Sequence, residues 1–93
     1  MNNNLFSLYI RARDGVVYQG KVKSVTSFNE RGKFDILPEH ANFISLIKDQ
    51  IVIKDEHDDI KQIKIDVGLL RTRENKVEIY LGIDSGSGTN GNI

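Results

Sequence analysis

The chain is predicted to be an all-β domain, an antiparallel sandwich of roughly eight to ten short strands. Three observations predict it. Apolar and polar residues alternate in stretches such as Phe34-Asp35-Ile36 and Val77-Glu78-Ile79-Tyr80-Leu81, the two-residue period of a half-buried strand. Turn dipeptides and polar clusters recur at short intervals, leaving strand-sized pieces between them. No segment carries a helical apolar stripe long enough to pack as a helix. Alternation gives each strand one dry face, and two facing sheets bury those faces against each other.

Leu5 to Ile10 is the opening strand, and Asp14-Gly15 is a turn signal. Val16-Val17-Tyr18 is a short β-rich piece ending near Gly20, and Val22 to Phe28 is a longer strand. Within the latter, Val22 and Val25 are three residues apart, which breaks the period of two and points to a β-bulge. Asn29-Glu30-Arg31-Gly32 is a polar turn. The strand Lys33 to Ile36 follows, and Pro38, which has no backbone donor, ends its pairing. Asn42 to Ile47 fits a short strand better than a single helical turn. Ile51 to Ile53 is strand, and Asp55-Glu56-His57-Asp58-Asp59 is a polar turn. Ile60 to Val67 and Gly68 to Arg73 read as two further strands. Glu74-Asn75 is a tight turn into the last strand, Lys76 to Leu81. Residues 1–84 form the domain, and the small, polar, Gly-rich run 85–93 reads as a flexible tail.

Ninety-three residues make one domain. Lys plus Arg equals Asp plus Glu, 13 against 13, and a nucleic-acid or anionic-membrane binder would usually carry a basic excess. Cysteine is absent, which removes disulfides, thiolate metal sites and thiol nucleophiles. No apolar run approaches the length of a membrane span, and Met1-Asn2-Asn3-Asn4 lacks the build of a signal peptide. A cytoplasmic protein is expected.

Candidate chemistry is thin. His40 beside Glu39 suggests a general base, but neighbours on an extended chain point to opposite sides. The alternative is that a ring nitrogen of His40 pins the turn after Pro38. The run Asp55 to Asp59 holds metal-ligand types without the spacing of a calcium loop, and a solvated hairpin tip is the plainer reading. Asp84-Ser85-Gly86-Ser87-Gly88 precedes no helix, so it offers no phosphate cradle. No catalytic residue, metal ligand, cofactor or nucleic-acid partner is assigned.

Three segments together are distinctive. They are Val17 to Val25, then Gly32-Lys33-Phe34-Asp35-Ile36-Leu37-Pro38-Glu39-His40-Ala41, then Gly68-Leu69-Leu70 with Asn75-Lys76-Val77. In this order they resemble the N-terminal β-sandwich domain of the epsilon subunit of F-type ATP synthases, called delta in mitochondria. The resemblance covers roughly residues 5–81. Lys33 stands where the family is often acidic, and Asp66-Val67-Gly68 replaces a usual Gly-Gly pair. The family continues with two helices after the sandwich, and no such hairpin is expected here.

What the resemblance implies is a non-catalytic rotor part. It would link the gamma shaft to the membrane c-ring at the cytoplasmic face of the plasma membrane, as a monomer within the complex. It implies a gamma contact near His40, Ala41 and Ser45, and a c-ring contact at Glu30, Arg31 and Lys33. Two rival readings stay open: a free-standing β-sandwich adaptor, and a small hydrolase or metal protein using His40 or His57.

Overall fold

In the computed structural model of the chain, residues 4–82 are described; the expected tail at 85–93 lies outside them. The secondary structure is all β: β1 (Phe6–Ala12), β2 (Gly15–Asn29), β3 (Gly32–Ile36), β4 (Phe43–Asp55), β5 (Ile60–Arg73) and β6 (Lys76–Leu81). The strand order is β1-β6-β5-β4-β2-β3, and β1 also pairs with β2. The second pairing joins β1, β6, β5, β4 and β2 into a closed ring, a barrel-like sandwich with β3 added to β2.

The ring has an odd number of strands, so antiparallel neighbours cannot alternate all the way round. One parallel contact is forced, and it falls between the first and last strands, with Leu8 opposite Val77 and Ile10 opposite Ile79. The expected all-antiparallel pairing is corrected there. The remaining ladders are antiparallel.

Six strands, of which β2, β4 and β5 are long, replace the expected eight to ten short ones because several expected breaks are bends. β2 continues through Gly20 and β5 through Gly68. The bulge expected between Val22 and Val25 is present as a register shift between Val22 and Ser24. A second shift, between Lys48 and Asp49, bends β4, with Asp49 at φ 72°. Such bulges increase twist, so a single long strand can serve both halves of a sandwich. Ser27 is wholly buried between these irregularities, and its Oγ donates to the Gln50 carbonyl at 2.8 Å. That hydroxyl occupies an acceptor in the bulged region, where ladder pairing is interrupted.

The core follows the alternation. Phe6, Leu8 and Ile10 of β1 are buried with Val22, Val25, Ile36, Ile47, Ile51, Ile53, Leu70, Val77 and Ile79. Gly68 sits where strands close tightly: a Cβ there would lie 2.9 Å from Leu81 Cδ2 and 3.3 Å from the Tyr80 carbonyl. β3 and β4 both pair antiparallel with β2, so they point the same way. No hairpin can join them. The chain passes from β3 to β4 through residues 37–42, and this connector carries the Leu37-Pro38-Glu39-His40-Ala41 motif.

Candidate interaction surfaces

The connector is held from three sides. His40 Nδ1 donates to the Leu37 carbonyl at 2.9 Å, and the ring stands edge-on to Phe6 with centroids 5.2 Å apart. A carbonyl can only accept, so Nδ1 carries the proton. The buried Nε2 has no partner. Thr72 Oγ1 donates to the Ala41 carbonyl at 2.6 Å and accepts from the Phe43 amide at 2.9 Å. The Asn42 side chain accepts from the Glu74 amide at 3.4 Å. His40 is therefore half-buried and pins the turn after Pro38. The neighbouring Ala41 is exposed.

The Glu30-Arg31 turn is built by Asn29. Its Oδ1 accepts from the Arg31 amide at 2.8 Å, and its Nδ2 donates to Ser45 Oγ at 3.3 Å. Ser45 Oγ donates in turn to the Leu46 carbonyl at 3.1 Å. Glu30, Arg31 and Ser45 thus line one open groove of about 560 Å³, together with Phe43, Ile44, Leu46, Lys48 and Val67. The resemblance assigned Glu30 and Arg31 to one contact and Ser45 to another, yet the fold places them around the same depression. Lys33, opposite Phe28, is exposed and does not line the groove.

Sequence reasoning missed the apolar half of this surface. Ile44 is 66% exposed, Leu46 59% and Phe43 36%. Ile44 and Leu46 lie opposite Arg71 and Leu69 on β5, which in turn lie opposite Glu78 and Tyr80 on β6. Residues opposite each other in a ladder share a face, so this is the outer face of β4, β5 and β6. A signal was available. Phe43-Ile44-Ser45-Leu46-Ile47 is apolar at both phases of the alternation, and once Ile47 is inside, Ile44 and Leu46 must be outside. Ile44 and Leu46 thus stand exposed two residues apart on one outer face, with Phe43 in the opposite phase at the start of β4.

The acidic run resolves into a self-contained turn. Asp55 Oδ1 accepts from the His57 and Asp59 amides at 2.8 and 3.0 Å. Asp58 pairs with Lys23 at 2.8 Å, and this hydrogen bond and charge hold its carboxyl below the usual aspartate value. Among the described residues no group of three His, Cys, Asp or Glu side chains is placed to hold a metal ion. Burial, with the nearby Asp55 and Glu56 charges, raises the Tyr18 phenol. No nucleophile, base and orienting group converge in what is described. This surface can bind; its residues present no arrangement for bond chemistry.

The family model for the ATP synthase delta/epsilon chain, β-sandwich domain, matches residues 5–81. An ATP synthase epsilon chain of Nitratiruptor sp. is 39% identical over 70 residues, covering 74% of this chain and 54% of the relative. One from Campylobacter jejuni is 36% identical over 76 residues, covering 81% and 59%. The chain therefore spans little more than half the length of these curated relatives. Among solved structures, a chain of the Euglena gracilis mitochondrial ATP synthase superposes with a TM-score of 0.79 at 17% identity, covering 87% of this chain and 52% of that one. A chain of the Tetrahymena thermophila mitochondrial ATP synthase, from its central stalk and c-ring, gives 0.67 at 12% identity, with 81% and 61% covered. At these identities the structural likeness establishes the shared sandwich fold.

Proposed function

The chain belongs to the ATP synthase delta/epsilon chain family through its β-sandwich domain, and from this we propose that it is a non-catalytic central-stalk subunit of an F-type ATP synthase. It links the gamma shaft to the c-ring and supports coupling of ion flow to ATP synthesis. It works within a membrane-associated complex, on the cytoplasmic face of the plasma membrane, and breaks no bonds itself. The observation that carries the reading is the family match over nearly the whole described sandwich.

The physical design supports it. A rotor part must transmit torque without deforming. Here five strands close on each other and bury a continuous aliphatic core, and close-packed interiors have low compressibility. A lasting grip needs an apolar centre and a polar rim. Phe43, Ile44 and Leu46 supply the centre, with Ser45 and Lys48 beside them and exposed Ala41 on the adjoining connector. We assign the gamma contact to this patch, with His40 shaping the connector from beneath. The c-ring contact is assigned to Glu30, Arg31 and Lys33, where charged side chains at a turn suit polar ring loops.

Co-expression with the gamma subunit and catalytic head from the same source tests the reading. The chain is expected to co-elute with them. Ile44→Asp with Leu46→Asp should release it while leaving its own melting temperature unchanged, because both side chains are exposed. Lys33→Glu, at a side chain outside the groove, should preserve head binding and weaken ATP-driven ion pumping in vesicles. A wild-type chain that elutes alone would overturn the rotor assignment and favour a free-standing adaptor.

A further inference from the structure

One end of the outer surface carries a row of cations that the stalk reading does not use. Lys21 of β2 lies opposite Ser7 of β1, Ser7 lies opposite Lys76 of β6, and Lys76 lies opposite Arg73 of β5. Their sequence neighbours Val22, Leu8, Val77 and Thr72 are buried, so all four side chains point outward. Four strands at about 4.8 Å spacing put three cations and a hydroxyl along about 14 Å of one line. Lys21, Ser7 and Lys76 line an open groove of about 440 Å³, with Tyr9, Gln19 and Glu78, and Arg73 lies outside that groove, opposite Lys76.

Three further features set this row apart. The chain as a whole has no net charge, so the concentration is local. The ion pairs among the described residues involve Lys23, Lys54, His57 and Arg71; Lys21, Lys76 and Arg73 are in none of them. Glu78, the carboxylate in the groove, faces Arg71 at 3.6 Å. Lys76 and Arg73 also stand directly opposite in a hairpin, an arrangement of like charges that costs stability. Lys21 Nζ donates to Ser7 Oγ at 3.0 Å, which leaves the Ser7 hydroxyl proton free to donate to a ligand.

We propose that the Lys21–Ser7–Lys76–Arg73 row is a binding site for a phosphoryl oxyanion. A phosphate seated on it receives charge-assisted hydrogen bonds from the ammonium groups and the guanidinium, the latter in the forked geometry that matches two phosphate oxygens. It also relieves the Arg73–Lys76 repulsion. The ligand's phosphate can belong to a lipid headgroup or to a free phosphate, and the site reads the chemistry they share. The row is made of residues other than those assigned to the gamma and c-ring contacts, though Arg73 at its end also borders Phe43 and Ile44.

The test is an amide chemical-shift titration of the 93-residue chain with inorganic phosphate at low ionic strength, with chloride as the control anion. Shifts should centre on Ser7, Lys21, Arg73 and Lys76 and saturate in the millimolar range expected of exposed charge-assisted contacts. Arg73→Gln with Lys76→Gln should weaken binding by about tenfold or more without lowering the melting temperature. Lys61→Gln with Lys64→Gln should leave it unchanged. Sedimentation with vesicles of phosphatidylglycerol in phosphatidylcholine, against phosphatidylcholine alone, separates the sources. Row-dependent capture by the anionic vesicles supports a lipid phosphate, and phosphate binding without capture supports a soluble one. Shifts scattered over all lysines, equalled by chloride, or retained in the Arg73/Lys76 variant would overturn the proposal.

Discussion

Thr72 is a small side chain with a large structural task. It is 2% exposed, and its hydroxyl is the hinge post of the connector, donating to Ala41 and accepting from Phe43. Thr72→Val keeps the shape and removes both bonds, taking the partner from the part-buried Ala41 carbonyl and Phe43 amide. The expected loss is about 1–3 kcal/mol, measured by urea unfolding. Amide shift changes should concentrate on residues 40–44. Thr72→Ser keeps the hydroxyl and should cost less than the valine variant. Equal costs would mean that the methyl packing, and not the hydrogen bonds, is what Thr72 contributes. No sequence pattern announces this residue. Its partners are some thirty positions away along the chain, so only the fold brings them together. His40 was more legible, since a polar ring after a proline turn must satisfy itself locally. What could not be read was that satisfying Leu37 takes the ring away from the surface.

At the level of elements, the strands were legible and their ends were not. Alternation located the apolar residues of every strand, because period two is a local property. Breaks were inferred wherever glycine or an off-phase residue interrupted that period, and several of these interruptions are bulges or close approaches. Gly68 is the clearest case. It reads as the start of a strand, yet it lies inside β5 because Leu81, Tyr80 and Ile47 crowd it across the sheet. Gly68→Ala must push the Leu81 side chain aside and press on the Tyr80 carbonyl, which is backbone and cannot swing away. We expect a loss of about 1–3 kcal/mol in chemical unfolding. An alanine variant as stable as wild type would show that β6 can shift outward freely. The patch at Phe43, Ile44 and Leu46 was overlooked for a related reason. An apolar run at both phases looks like a buried strand until the closed ring fixes which side is inside.

Over the whole molecule, ring closure decides where the domain can loosen. Each of β1, β2, β4, β5 and β6 is paired on both sides, so opening β1, β4, β5 or β6 breaks two ladders and opening β2 breaks three. β3 is paired with β2 alone, is five residues long, and carries exposed Lys33 and Asp35 on what would otherwise be a sticky edge. Native-state hydrogen exchange should therefore find the bonded amides of β3 opening at lower free energy than those of β5 from Leu69 to Thr72. If both sets exchange through the same global event, β3 is as firmly held as the ring and this account of local stability fails. The difference bears on the proposed role. In the groove that Glu30, Arg31 and Ser45 line, Ile44, Leu46 and Val67 belong to the ring, whereas the Glu30-Arg31 turn on the same groove leads directly into β3. The stiff strand face would then grip the shaft, and the more yielding turn beside it, continued by β3, would meet the c-ring, where successive polar loops need not present identical geometry.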